Sequence, residues 1–100
     1  MFVHTVFFWM KPGVSDADRK KLVSECMEFL GAVPTVRQIW AGVPAQTPRD
    51  VVDNSYDVGL TVVLDDKAGH DVYQEHASHL EFIKRNKHTW ERVRVYDYLT

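Results

Sequence analysis

The sequence predicts an α+β domain of the ferredoxin-like type, βαββαβ, with four antiparallel strands and both helices on one face of the sheet. Three observations carry that prediction. Runs rich in Val, Phe, Thr and Tyr fall at 2–10, 36–42, 56–64 and 93–99, bounded by Gly, Pro or Asp, as strands are. Two longer stretches, 15–30 and 67–91, carry apolar residues at helical spacing. Connections of one helix each favour a single sheet with both helices on the same side.

Phe2 to Met10 reads as the first strand, stopped by Lys11-Pro12-Gly13. Side chains alternate across a sheet, so Phe2, His4, Val6, Phe8 and Met10 share one face and Val3, Thr5, Phe7 and Trp9 the other. Both faces are bulky and apolar, so both need cover. Helices serve one of them; a second copy of the chain is expected on the other, because so large an apolar sheet is rarely left exposed. A twofold homodimer is the simplest arrangement.

Ser15 with Asp18 forms a candidate capping box. The helix after it, to about Leu30, turns Leu22, Cys26, Phe29 and Leu30 inward and stops at Gly31. Val36 to Gly42 is the second strand. Val43 to Ser55, with Pro44, Pro48, Asp53 and Asn54, is a long loop and a candidate lid. Tyr56 to Leu64 alternates as a third strand. From Lys67 to Glu91 the pattern is helical with an interruption at Glu75 to Ser78, followed by a stripe of Leu80, Ile83, Lys87 and Trp90 and an expected Glu81–Arg85 pair. Val93 to Leu99 closes the sheet, with Val93 and Val95 on one face and Arg92, Arg94 and Tyr96 on the other.

One hundred residues, 45% hydrophobic and 26% charged, describe one ordinary globular domain. A net charge of −2, with acids and bases interspersed, argues against a nucleic-acid partner. The lone Cys26 excludes an internal disulfide and a cysteine zinc cluster, and its place on the helix stripe suggests an inert buried thiol. No stretch approaches the roughly 20 apolar residues of a membrane span, and the start lacks the features of a signal peptide. A soluble, cytoplasmic protein with no membrane partner is the expectation.

Several segments then fall into a familiar order: His4-Thr5-Val6-Phe7-Phe8, Lys11-Pro12-Gly13-Val14, Val33-Pro34-Thr35-Val36, Gly42, Tyr56-Asp57, His76-Ala77-Ser78-His79-Leu80-Glu81 and Val95-Tyr96-Asp97-Tyr98. With these the chain resembles the stress-responsive dimeric α/β-barrel (Dabb) family over nearly its whole length. The resemblance implies two four-stranded sheets joined face to face as a barrel with helices outside. Most members of that family have no assigned activity, and some are linked to stress responses. One plant member is a polyketide cyclase, closing an aromatic ring by intramolecular aldol condensation without a cofactor. Its Tyr–His pair matches Tyr73 and His79 and its strand-1 histidine matches His4, whereas its strand-3 histidine is replaced here by Val58. Cofactor-free monooxygenases and lactone isomerases share the fold by analogy only.

His4, Tyr73, His76 and His79 are the polar, titratable groups that this arrangement directs inward. In a chemical reading, His79 is a neutral imidazole able to take a proton beside a carbonyl. Tyr73 orients it or donates to the oxyanion, and His4 contacts the substrate. Val6, Phe8, Val58, Leu60, His76, Val93 and Val95 form the expected wall of a small apolar pocket. In a structural reading, His79 bridges the helix break and His4 pairs with main chain or Tyr73. His76 and His79, with Glu75 or His70, lack the frame of a metal site, so no metal and no cofactor are expected. His70 and His88 read as solvated. Trp9, Trp40 and Trp90 read as core or interface rings. Arg37, Arg92 and Arg94 read as salt-bridge partners across the dimer, with Asp57 and Asp97 near the strand ends, ahead of an anion patch. The sequence thus favours a homodimer that binds a small apolar or aromatic ligand, then a cofactor-free cyclase, lyase or isomerase, then a purely structural dimer.

Overall fold

The protein is described by a computed structural model covering residues 1–100. Strands β1 (Phe2–Met10), β2 (Val36–Gly42), β3 (Val58–Leu64) and β4 (Trp90–Leu99) form one antiparallel sheet in the order β2-β3-β1-β4. Helix α1 (Asp16–Glu25) joins β1 to β2, and α2 (Lys67–Glu75) with α3 (Ala77–Asn86) joins β3 to β4. This is the expected ferredoxin-like βαββαβ fold. No helix is long and apolar enough to cross a membrane.

The core lies between sheet and helices. Phe2, Val6, Phe8 and Met10 of β1 meet Val58, Leu60, Val62 and Leu64 of β3, under Leu22, Cys26, Leu30, Tyr73 and Phe82. Val3, Thr5, Phe7 and Trp9 occupy the opposite face, as the alternation requires. Gly13, at φ 89°, makes the turn into α1 in a conformation that side chains disfavour. Ser15 Oγ then accepts from the Asp18 N–H at 3.2 Å while the Asp18 carboxylate accepts from the Ser15 N–H at 3.0 Å, completing the capping box. A π-turn, Cys26–Leu30, carries the helix to Gly31, where a Cβ would collide with the Met27 carbonyl. The Ser78 hydroxyl donates to the Phe29 carbonyl that this turn leaves free.

Four expectations change. Tyr56 and Asp57 precede β3 instead of opening it. The Asp57 carboxylate takes the Met10 N–H at 2.7 Å and Arg19 Nε at 3.0 Å, knotting the end of β1 to α1. The helix interruption is one residue, His76, with extended backbone (φ −64°, ψ 142°). It resets the helical phase, so Phe82, Ile83 and Asn86 turn inward while Leu80 faces solvent. The helix ends at Asn86, and Trp90 therefore begins β4 rather than lying on the helix stripe. Arg37 pairs with Asp65 in the same protomer at 2.7 Å.

Arg85 does not bond Glu81. Its Nε reaches Glu25 at 2.6 Å, and Lys21 Nζ approaches the same carboxylate at 3.3 Å. Burial pushes the Glu25 pKa up, but these two cations outweigh it and hold the group below its ordinary 4.5. The resulting stability is present above that value and is lost as pH falls through the lowered one. Arg85→Met is expected to lower the urea midpoint at pH 7, though modestly, because Arg85 is half exposed and water screens the pair. The gap to wild type should narrow as pH falls below 4.5; a gap that stays constant in acid would remove the ion pair from this account.

Candidate functional site

Strand register and helix phase bring the candidate residues together. His4, Val6 and Phe8 stand beside Val62, Leu60 and Val58 on β3 and beside Asp97, Val95 and Val93 on β4. Helix α2 lays Tyr73 over this row as its buried residue. The restart at His76 then aims His79, Phe82 and Ile83 at it. Between the layers is a hollow of about 140 Å³ lined by thirteen residues, ten of them hydrophobic. His4, Val6, Phe8, Leu60, Tyr73, His79, Val93 and Val95 line it, together with Leu30, Gln74, Phe82, Ile83 and Trp90. It lies toward the edge strand, where Val93 and Val95 remain 40% and 44% exposed.

Two expected wall residues stand elsewhere. Val58 is wholly buried in the core beside Phe8 and is not a lining residue. His76 caps α3: its Nδ1 accepts from the Ser78 N–H at 3.0 Å, satisfying a donor that the helix leaves unpaired. His88 is exposed, as expected, but His70 is not a solvated residue. Its ring stacks on Phe2 at 4.4 Å, because α2 runs directly over the start of β1, and lies 5.0 Å from the ring of His4.

The polar groups differ in chemistry. Asp97 Oδ1 lies 2.6 Å from His4 Nδ1, a short charge-assisted contact. Burial lowers the His4 pKa, Asp97 opposes that, and His70 adds to the lowering. A neutral His4 that donates its Nδ1–H to Asp97 carries its lone pair on Nε2. The Tyr73 ring meets His4 at 5.6 Å and His79 at 4.7 Å, both edge-on. Burial raises the Tyr73 pKa, with Cys26 adding to it, so the phenol stays a neutral donor. Burial also takes His79 down to about 4, helped by His4 and His70, and its Nδ1 is buried without a hydrogen-bond partner. Cys26 is pushed up to about 12 by burial, which leaves an unreactive thiol.

A histidine held neutral by burial destabilises the fold in acid. The unfolded chain takes the proton near 6.5 and the folded one only near 4, so stability is complete above 6.5 and falls as pH drops through that window. His79→Leu should therefore lose less stability than wild type between pH 7.5 and pH 4.5, read from urea midpoints. Parallel losses would place the imidazole in water.

His4, His70 and Asp97 form a group whose ligand atoms come within 4.8 Å of one another. Two imidazoles and a carboxylate are a donor set for a divalent ion. Here, however, His4 is engaged with Asp97, and His70 Nε2 lies 3.0 Å from the Gln74 amide nitrogen. A larger hollow, about 250 Å³ by the Lys11–Gly13 turn, has three hydrophobic residues among its ten and contains none of these groups.

The sequence reading missed Asp97 and Trp90 as site residues. Asp97 had a signal: it shares strand parity with Val93 and Val95, a charge on an apolar face. Trp90 was assigned to the wrong element and so to the wrong neighbours.

The family model described as Stress responsive A/B Barrel Domain matches residues 2–100. No curated protein matches the sequence. Among solved structures, a protein from Arabidopsis thaliana superposes with a TM-score of 0.85 at 18% identity, covering 100% of this chain and 95% of that one. A Dabb family protein with a ferredoxin-like fold from Mesorhizobium loti gives 0.81 at 22% identity, covering 99% and 95%. A hydroxynitrile lyase from Passiflora edulis gives 0.82 at 18% identity, covering 99% and 92%. Similar proteins from Thermobifida fusca and Bacteroides fragilis are described as dimeric and of unknown function. At these identities the likeness is one of fold.

Proposed function

Because the chain belongs to the stress responsive A/B barrel family, we propose that it works as a homodimer whose protomers each hold a compact, mainly apolar organic ligand between sheet and helices. The observation that carries this reading is the hollow itself, apolar walled yet edged by His4, Tyr73 and His79. The uncovered sheet face, with Phe7, Trp9, Trp40 and Tyr96, supports association with a second copy, as does the dimeric state of similar proteins. Titrating toluene while following the methyl resonances of Leu30, Leu60, Ile83 and Val93 tests the binding. Shifts confined to these lining residues are expected. No shift at millimolar toluene would sink the reading.

The Asp97–His4 contact favours a second reading, cofactor-free proton transfer on a bound carbonyl compound; the hydroxynitrile lyase of the same fold gives it company. His4 is the better base of the two histidines. A base at about 4 is poorly matched to neutral pH, whereas Asp97 fixes the His4 tautomer and opposes the effect of burial. Tyr73, neutral, donates to the developing oxyanion. Deuterium exchange at the α-carbons of cyclohexanone, followed by NMR, is the assay. His4→Ala should abolish exchange above background. Asp97→Asn should slow it and move its pH midpoint downward, since the carboxylate raises the His4 pKa. Exchange unaffected by His4→Ala would eliminate this chemistry.

A further inference from the structure

We infer that the indole N–H of Trp90 is the group that selects the ligand, and that the ligand is a single small ring carrying an acceptor oxygen. The inference rests on the cavity reading above and adds the chemical class.

Two buried side-chain nitrogens have no hydrogen-bond partner, Trp90 Nε1 and His79 Nδ1, and both residues line the same hollow. The other unbonded buried polar atom, Glu25 Oε2, has Lys21 3.3 Å away. Trp9, by contrast, gives its indole N–H to Ser55 Oγ at 3.0 Å. An unmet buried donor costs about 1–3 kcal/mol, and most buried polar groups are satisfied. Trp90 is fixed in its place: its ring packs on Phe8 at 4.9 Å and Phe82 at 5.8 Å at the start of β4. Its ring is thus held in the wall of the hollow, with its donor shut off from water.

Size and polarity narrow the occupant. An apolar hollow of about 150 Å³ accommodates a benzene-sized molecule, and this one is about 140 Å³. A water needs two to four polar partners, which a wall with ten hydrophobic residues of thirteen supplies poorly. A six-membered ring meets the apolar wall, and one oxygen on it accepts from Trp90. His79 Nδ1 offers a second polar contact, as donor or acceptor according to its tautomer.

The test uses the full chain and two shape-matched probes, cyclohexanone and methylenecyclohexane, with wild type and Trp90→Phe. The hydrocarbon reports the cavity; the ketone reports the donor. The Trp90 indole N–H resonance should shift with the ketone and not with the hydrocarbon. Trp90→Phe alters the wall for both probes, and loss of the donor should weaken the ketone about ten-fold more than it weakens the hydrocarbon. Equal weakening of both probes, or an indole resonance that ignores the ketone, overturns the role of Trp90 while the cavity stands. If neither probe binds wild type, the cavity reading fails and this inference with it. Should Trp90→Phe fail to fold, the indole shift in wild type decides alone.

Discussion

Phe82→Ala is expected to destabilise the domain by about 3–5 kcal/mol, the range for removing a buried phenyl ring from a core that cannot collapse around the gap. Phe82 is 1% exposed, meets Phe8 at 6.2 Å and Trp90 at 5.8 Å, and forms part of the cavity wall. Its neighbours are fixed from both sides, by the sheet ladder beneath and by α3 above, so the vacated space merges with the existing hollow. A domain of this size holds about 5–15 kcal/mol in total. A melting temperature lower by on the order of 20 °C should follow. Toluene should return part of the loss, because a ligand that binds only the folded state stabilises it by mass action. A cost below about 1 kcal/mol, or no response to toluene, would mean that the layers close over the gap and that no rigid space exists there.

Much of the architecture was legible because strand alternation is a strong local rule. The parity of β1 alone put His4, Val6 and Phe8 on one face and Phe7 and Trp9 on the other, and the observed register agrees. Helix phase was less legible. His76 breaks the backbone for a single residue, and the stripe expected after a wider break kept Ile83 but took Leu80, Lys87 and Trp90 in place of the inward Phe82 and Asn86. The cost of that slip was functional: Trp90, moved onto the wrong element, lost its place beside Phe8. Long-range polar partners were the least legible. Arg85 has Glu81 one helical turn away, yet it bonds Glu25 because a carboxylate buried between α1 and α3 gains more from a cation than an exposed one does. The His4–Asp97 contact joins residues 93 positions apart, and only the β1–β4 register reveals it.

Phe7→Lys is expected to convert the proposed dimer to monomers, weakening association by on the order of a thousand-fold, since a lone buried charge costs several kcal/mol. Phe7 stands near the middle of the uncovered face. Its ring lies over Gly59, where a Cβ would come within 3.5 Å of it, and packs edge-on with Tyr56 at 4.8 Å. Trp40 and Tyr96, 56% and 58% exposed, extend the patch to either side. A lysine is a harsher choice than a glutamate: Arg94 is its register partner on β4, so an acid would find a cation and a base finds repulsion. Twofold symmetry enters the charge twice, once from each protomer. The isolated protomer should tolerate the change, because Phe7 is only partly buried there and its replacement remains wetted. Sedimentation at micromolar concentration, with a thermal melt to confirm folding, reads the outcome; a dimer that survives would move the interface to another surface. The hollow lies across the sheet from Phe7, so toluene should still reach it in the monomeric variant. Loss of toluene binding together with dimerisation would instead make the partner subunit part of the wall beside Val93 and Val95.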